Sequence, residues 1–324
     1  MKKFNLKVAA TQDGMRIDQF LAESELGISK RKIRAVIDAG GVYRNRARVR
    51  VASRAVTSGD RIEVEFNPEN LGKLKARAAD LALRDEDILF DDEHVIAINK
   101  PAGLPSQATR DQDIVHAEPL LVRWLKEKGR SATGLVLVHR LDKETSGVLL
   151  FARSSKIATW LTDQFRGRDV EKTYLAIIHG VPRVPTFRQE CYLSAIDKRT
   201  GIVSPVRSGG KLAITEFRML FAGGTPSLSL VECRPETGRS HQIRVHLDML
   251  GHCIVGDKRY ENGRASLPSS IAEPASARHM LHARKIIFSP APGSKPVAIA
   301  APLPEGFKAI FGEIGVSAEI AHKI

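Results

Sequence analysis

In the stretch MRIDQFLAES (15–24) the apolar residues Ile17, Phe20 and Leu21 recur three and four positions apart, the spacing that gathers side chains on one helix face. The same period returns in KRKIRAVIDAGG (30–41), where Ile33, Val36 and Ile37 form the apolar stripe. Ser29 stands where a helix N-cap is expected, and Gly40-Gly41 where the helix should end. Val42, Tyr43 and RNRARVRVASRAV (44–56) predict short strands, and SGDRIEVEF (58–66) predicts a Gly-Asp turn leading into an alternating strand. Together these elements predict a small α/β module over residues 1–66. From Asn67 to Arg84 the chain turns polar and loses its period, so 67–84 reads as a linker.

Beyond residue 84 the pattern changes. Apolar runs of strand length follow one another: HVIAIN (94–99), GLVLV (134–138), GVLLFA (147–152), TYLAIIHG (173–180) and SLSLVEC (227–233). Gly/Pro turns and a few helical stretches separate them, without strict strand–helix alternation. That order predicts one α+β domain over 85–324, a mixed, largely antiparallel sheet with flanking helices, and not a doubly wound parallel sheet. No apolar run approaches the ~18–20 residues that span a bilayer. The opening MKKFNLKVAATQDG lacks the apolar stretch of a secretory signal, so a cytoplasmic location without membrane contact is expected. Cys191, Cys233 and Cys253 lie far apart and are expected to be inert thiols.

Charge narrows the partner. The chain carries 50 Lys+Arg against 37 Asp+Glu, a net +13. Between Ile28 and Arg54, nine Lys/Arg face a single acid, Asp38. Such a patch repels itself unless a polyanion neutralises it, which points to nucleic acid. Lys30, Arg31, Lys32, Arg34, Arg44, Arg46 and Arg48 are the candidate contacts.

Several chemistries have no support. The sequence has no GxxxxGK[ST] phosphate loop, no GxGxxG after a strand, no HExxH and no paired Cys/His set. A reaction using side chains alone, without metal or cofactor, is expected. HRLDKETSGVLLFA (139–152) places Asp142 in a tight loop after an apolar strand, among cations that should keep it ionised. There it is either a nucleophile or base, or a turn organiser paired with Lys143. TGRSHQIRVHLDMLGH (237–252) predicts a helix capped by Ser240 and ended by Gly251, with Ile243, Leu247 and Leu250 on one face. Arg244 lies about 100° around from Ile243, at the edge of that face, aimed at a carboxylate or solvated. His241 and His246 read as structural. Tyr174, in KTYLAIIHG, is either a base-stacking ring or a core residue. INKPAGLPS (98–106) and HMLHARKIIF (279–288), the latter with Leu281, read as scaffold.

NKPAG (99–103), HRLDKETSG (139–147), KTYLA (172–176), GRSHQIRVHL (238–247) and LHA (281–283) together resemble the RluA-type pseudouridine synthases, in that family's order. Residues 14–66, through RIDQFL, SKRKIRAVI, the G-x-V step and GDRIEV, resemble the small RNA-binding module named after ribosomal protein S-four. The resemblance implies a cofactor-free monomer that isomerises uridines in structured RNA, large-subunit ribosomal RNA ahead of transfer RNA. It implies that Asp142 is the essential aspartate, that Arg244 pairs with it, and that Tyr174 packs on the flipped base. It further implies that Arg140 intrudes into the RNA and that Ile243 and Leu281 wall the uracil pocket. One departure stands out: the turn after NKPAG reads LPSQ in place of a VVxHP-like ending. The alternatives are a non-catalytic RNA-binding or ribosome-assembly factor, and a hydrolase acting on RNA.

Overall fold

A computed structural model describes residues 2–38, 40–49, 51–66, 82–108, 115–197, 199–224, 227–260 and 278–316. Most of the expected linker, 67–81, lies outside the described residues, as does the side chain of Arg31. The chain divides into two units, Met1–Leu81 with Ala195–Val203, and Ala82–Ser194 with Ser204–Ile324.

The first unit is a four-stranded antiparallel sheet packed with two helices. Its strands are β1 (Lys2–Lys7), β2 (Val42–Arg44), β3 (Ala47–Arg48) and β4 (Arg61–Phe66), in the order β1-β4-β2-β3. Helices α1 (Ile17–Ala22) and α2 (Lys30–Asp38) bring Ile17, Phe20, Leu21, Ile33, Val36 and Ile37 into one core with Val42, Ile62 and Val64. This is the stripe the sequence period marks. α2 ends where expected: Gly40 takes φ +78°, and the Gly40 and Gly41 N–H groups donate to the Ile37 and Val36 carbonyls. Between β2 and β3, Asn45 and Arg46 both take positive φ, the backbone a two-residue hairpin turn demands. Past Arg48 the expected strand gives way to a loop, anchored by buried Val49 and Val56. Residues 195–203 belong to this unit, and the Ser53 hydroxyl donates to the Thr200 carbonyl at 2.6 Å.

The second unit is built on one large mixed sheet. In chain order its strands are β5 (Ile88–Asp91), β6 (Val95–Lys100), β7 (Val136–Leu137), β8 (Ser146–Ala152), β9 (Glu171–His179), β10 (Thr186–Leu193), β11 (Pro205–Val206), β12 (Lys211–Gly223), β13 (Leu228–Pro235), β14 (Leu281–Phe288) and β15 (Val297–Ala300). The sheet runs β11-β10-β12-β13-β9-β14-β8-β6-β5, with β15 on β14 and β7 on β8. Its pairings are antiparallel except β14 with β8. Helices α3 (Ala117–Glu127), α4 (Ser155–Gly167), α5 (Gln242–Met249) and α6 (Glu305–Ile314) flank it. The α+β reading therefore holds.

Two local features depart from the sequence reading, and both shape the site. GLVLV yields only the two-residue β7, because β8 offers it only Phe151 and Ala152 while β14 takes Ser146 and Gly147 at the other end. The chain leaves the sheet early, and His139–Lys143 becomes a loop. Ser240 does not cap α5. The N-cap is His241, held at φ +54°, and the Ser240 hydroxyl instead accepts from Arg140 Nη2 at 2.8 Å. Gly251 ends α5 as expected: its N–H donates to Asp248, and the next N–H, of His252, to Leu247.

Candidate active site

The loop that carries Asp142 is fixed from three sides. Behind it, the buried Lys100 ammonium at the end of β6 donates to the carbonyls of Pro101, Leu104 and Lys143, at 2.9, 2.7 and 3.1 Å. Its three N–H donors meet three acceptors, tying the NKPAG turn to the Asp142 loop. From the same turn, the Ser106 hydroxyl donates to the Leu141 carbonyl and accepts from the Leu141 N–H. On the third side Thr145 Oγ1 lies 2.8 Å from His279 Nε2, and Ser146 Oγ lies 2.8 Å from His282 Nδ1. Ser146 Oγ also accepts from Arg278 Nη1. His282 Nε2 faces the Ala301 carbonyl, which can only accept, so the neutral ring carries its proton on Nε2 and its Nδ1 accepts from the Ser146 hydroxyl.

Helix α5 approaches this loop with Arg244. Arg244 Nη1 donates to Asp142 Oδ2 at 2.8 Å. Its other edge grips Asp257 with two bonds, Nε to Oδ2 at 2.6 Å and Nη2 to Oδ1 at 2.8 Å. Asp257 is 1% exposed and Arg244 6%, so this pair is locked away from water. The Asp142 side chain keeps 27% of its surface open. Among the described residues no donor reaches its Oδ1. Burial alone would raise the Asp142 carboxyl, but the positive surroundings, with His241 and Arg244 foremost, hold it well below the usual carboxylate range. His241, 3.8 Å from Asp142 Oδ2, is itself pushed down to about 4 by burial, so the standing charge at pH 7 is that of Arg244. Asp142 is thus ionised, as expected, but by a helix a hundred residues away in sequence. Its neighbours in the chain have other partners: Lys143 faces Glu144, and Arg140 binds Ser240.

Above the pair lies a cavity of about 620 Å³, counting the part open to solvent. Asp142, Arg244 and His241 line it. Tyr174 on β9, Ile243 on α5 and Leu281 on β14 supply apolar wall, and Arg140 also lines it. Burial, then the Asp142 charge, pushes the Tyr174 phenol up, so it stays neutral. His241 Nδ1 lies 2.8 Å from the Tyr260 hydroxyl, and the Arg244 guanidinium sits 5.0 Å from the Tyr260 ring. The structure therefore brings together Asp142, Arg244, Tyr174, Arg140, Ile243 and Leu281. Asp257, His241, Lys100 and Lys172 join them without having been singled out for the site. No pattern in the sequence around Asp257 marked it. Among the described residues no cluster of three His, Cys, Asp or Glu is set to hold a metal.

The basic residues of the first unit divide into two groups. Arg34 and Arg16 both bind the fully buried Asp18, and Arg44 binds Asp60, so these guanidiniums also hold the module together. Lys32, Arg46 and Arg48 are exposed, Arg48 resting on Tyr43, and Lys30 is partly exposed.

Comparison with known proteins places the chain in a family. A family model described as RNA pseudouridylate synthase matches residues 94–249, and an S4 domain model matches residues 15–62. The chain is 31% identical to "Ribosomal large subunit pseudouridine synthase D" of Zymomonas mobilis over 94% of its length and 95% of that protein. It is 31% identical to "Ribosomal large subunit pseudouridine synthase C" of Escherichia coli K12, over 93% of each. The solved structure of "Human RNA Pseudouridylate Synthase Domain Containing 4" covers 76% of this chain and 97% of its own, with TM-score 0.58 and 27% identity. The chain belongs to the RNA pseudouridylate synthase family, in its RluA-type branch, with an S4 domain ahead of the synthase domain.

Proposed function

We propose that this pseudouridine synthase acts on uridines of large-subunit ribosomal RNA, in the cytoplasm, with Asp142 as the reacting carboxylate. The ribosomal substrate is supported by the names of relatives aligned over nearly the whole chain. The role of Asp142 is carried by one observation: Arg244 holds one carboxylate oxygen at 2.8 Å, while the other meets no donor among the described residues. A uridine must leave its stack to reach such a cavity, at a cost of a few kcal/mol. Stacking on Tyr174, with Ile243 and Leu281 as further wall, offsets part of that cost, and Arg140 at the rim fills the vacated space. Asp142 then promotes cleavage of the bond from carbon 1′ to nitrogen 1. Uracil turns and rejoins carbon 1′ through its carbon 5, which gives up its proton while nitrogen 1, left with the electron pair of the broken bond, takes one up. Atoms and oxidation state balance, so the isomerisation consumes no co-substrate. Lys30, Lys32, Arg46 and Arg48 supply phosphate contacts from the S4 domain, within an expected module of 1–66 and catalytic domain of 85–324.

A purely RNA-binding role has no use for a half-buried, arginine-held carboxylate with one oxygen left without a donor among the described residues. Mapping pseudouridines in ribosomal RNA from cells with and without the gene tests the substrate. Sites lost from large-subunit RNA are expected; losses confined to transfer RNA would refute it.

A further inference from the structure

Most charged groups lining the catalytic cavity have a partner. Asp142 has Arg244, Arg244 has two carboxylates, Arg140 has Ser240, and Arg239 donates to the Leu212 carbonyl. Lys172 differs. It lines the same cavity from β9, partly buried, and among the described residues its ammonium meets neither a carboxylate nor a hydrogen-bond acceptor. A strand's period of two puts it on the same face as Tyr174, roughly 6.6 Å further along. The charged and titratable groups near it are Arg168, whose charge is met by Glu236 at 3.5 Å, and the buried His139. Glu171, the next residue on its own strand, is exposed. Burial and then Arg168 push the Lys172 ammonium down to about 8. Leaving a cation desolvated and unpaired is costly, and an anionic partner relieves the cost.

The cavity lining therefore carries a negative group, Asp142, and, two residues along β9 from Tyr174, an unmatched positive one. A uridine within RNA carries one kind of formal charge, that of its phosphodiesters, while its base and sugar are neutral. Placing carbon 1′ at Asp142 requires the neighbouring phosphate to be held away from that carboxylate. We propose that Lys172 binds a phosphodiester oxygen flanking the target uridine, forming a phosphate subsite inside the catalytic cavity. This rests on the uridine-isomerising reading above. A contact of this kind orients the flipped nucleotide by its backbone, leaving the uracil free to turn.

The test uses the full-length protein and an unmodified large-subunit ribosomal RNA transcript. Lys172→Met should weaken binding about tenfold or more at moderate salt, as loss of one charged hydrogen bond implies. The slope of log affinity against log salt should fall by about 0.7–0.9, one phosphate contact. Lys172→Arg, which keeps the charge, should restore the slope. If Lys172→Met does not fold, Lys172→Gln is read by the same criteria. An unchanged slope overturns the subsite. So does an unchanged affinity with a rate more than tenfold lower at saturation, which would put Lys172 on the departing uracil. If the wild-type protein binds the transcript but isomerises nothing in it, the functional reading fails, and the slope comparison still decides whether Lys172 meets phosphate.

Discussion

At the residue scale the site is a shared cation. Arg244 stands between Asp142 and Asp257, and the bidentate grip of Asp257 sets the plane of the guanidinium, so that Nη1 is left for Asp142. Lysine would bring the charge but not the planar fork needed to hold two carboxylates at once. Arg244→Lys is therefore expected to lose more than tenfold in single-turnover rate, with RNA affinity within threefold of wild type. Rates and affinities measured separately check this; a weaker affinity with normal turnover would make Arg244 a backbone contact instead. The sequence made half of this arrangement legible. Helical spacing set Arg244 at the edge of a buried face, where a carboxylate was one of two readings. Its second carboxylate was not legible, because Asp257 lies in an aperiodic turn after the helix and nothing in its neighbours marks it as buried. The source of the charge on Asp142 was also misplaced, since sequence neighbours such as Lys143 point to other partners.

At the element scale the Asp142 loop is positioned by how closely β8 and β14 approach. Gly147, at φ +112°, opens onto the Ala283 carbonyl oxygen, which would lie 2.2 Å from any Cβ placed there. A methyl group at that point forces the strands apart just where Ser146 and His282 join. Gly147→Ala is expected to cost on the order of 2 kcal/mol or more, combining a strained φ with a backbone clash. Thermal unfolding of the purified variant measures it; a melting temperature equal to wild type would show that the junction yields freely. Elements with an unbroken apolar pattern were the readable ones: α1, α2 and β4 by their period, β6 and β8 as continuous apolar runs. β12 was harder to see, since a register shift between Met219 and Phe221 interrupts its alternation. The α5 start was misread because a serine at the expected cap is a good local signal, and tertiary demand overrode it by turning His241 toward Asp142 and Tyr260.

At the scale of the whole molecule, the proposed catalytic set and the densest positive stretch sit on different parts of the chain. The first falls between residues 140 and 281, the second between 28 and 54. Composition alone exposed that division, but not which cations are committed: Arg34 and Arg44 bind the buried Asp18 and Asp60. Replacing the exposed Lys32, Arg46 and Arg48 by glutamine in the full chain should flatten the salt dependence of RNA binding. The expected change is about 0.7–0.9 in slope per phosphate contact removed. An unaltered slope would take this surface out of the RNA interface.

The central claim, that an ionised Asp142 drives uridine isomerisation, is tested most directly by tritium release from RNA labelled at carbon 5 of uracil. Wild-type protein should release tritium as carbon 5 joins the sugar. Asp142→Asn keeps the size and most of the hydrogen bonding but removes the charge, so it should fold and bind RNA as well as wild type or better, while releasing nothing above background. Substantial tritium release by the purified Asp142→Asn protein would contradict the account.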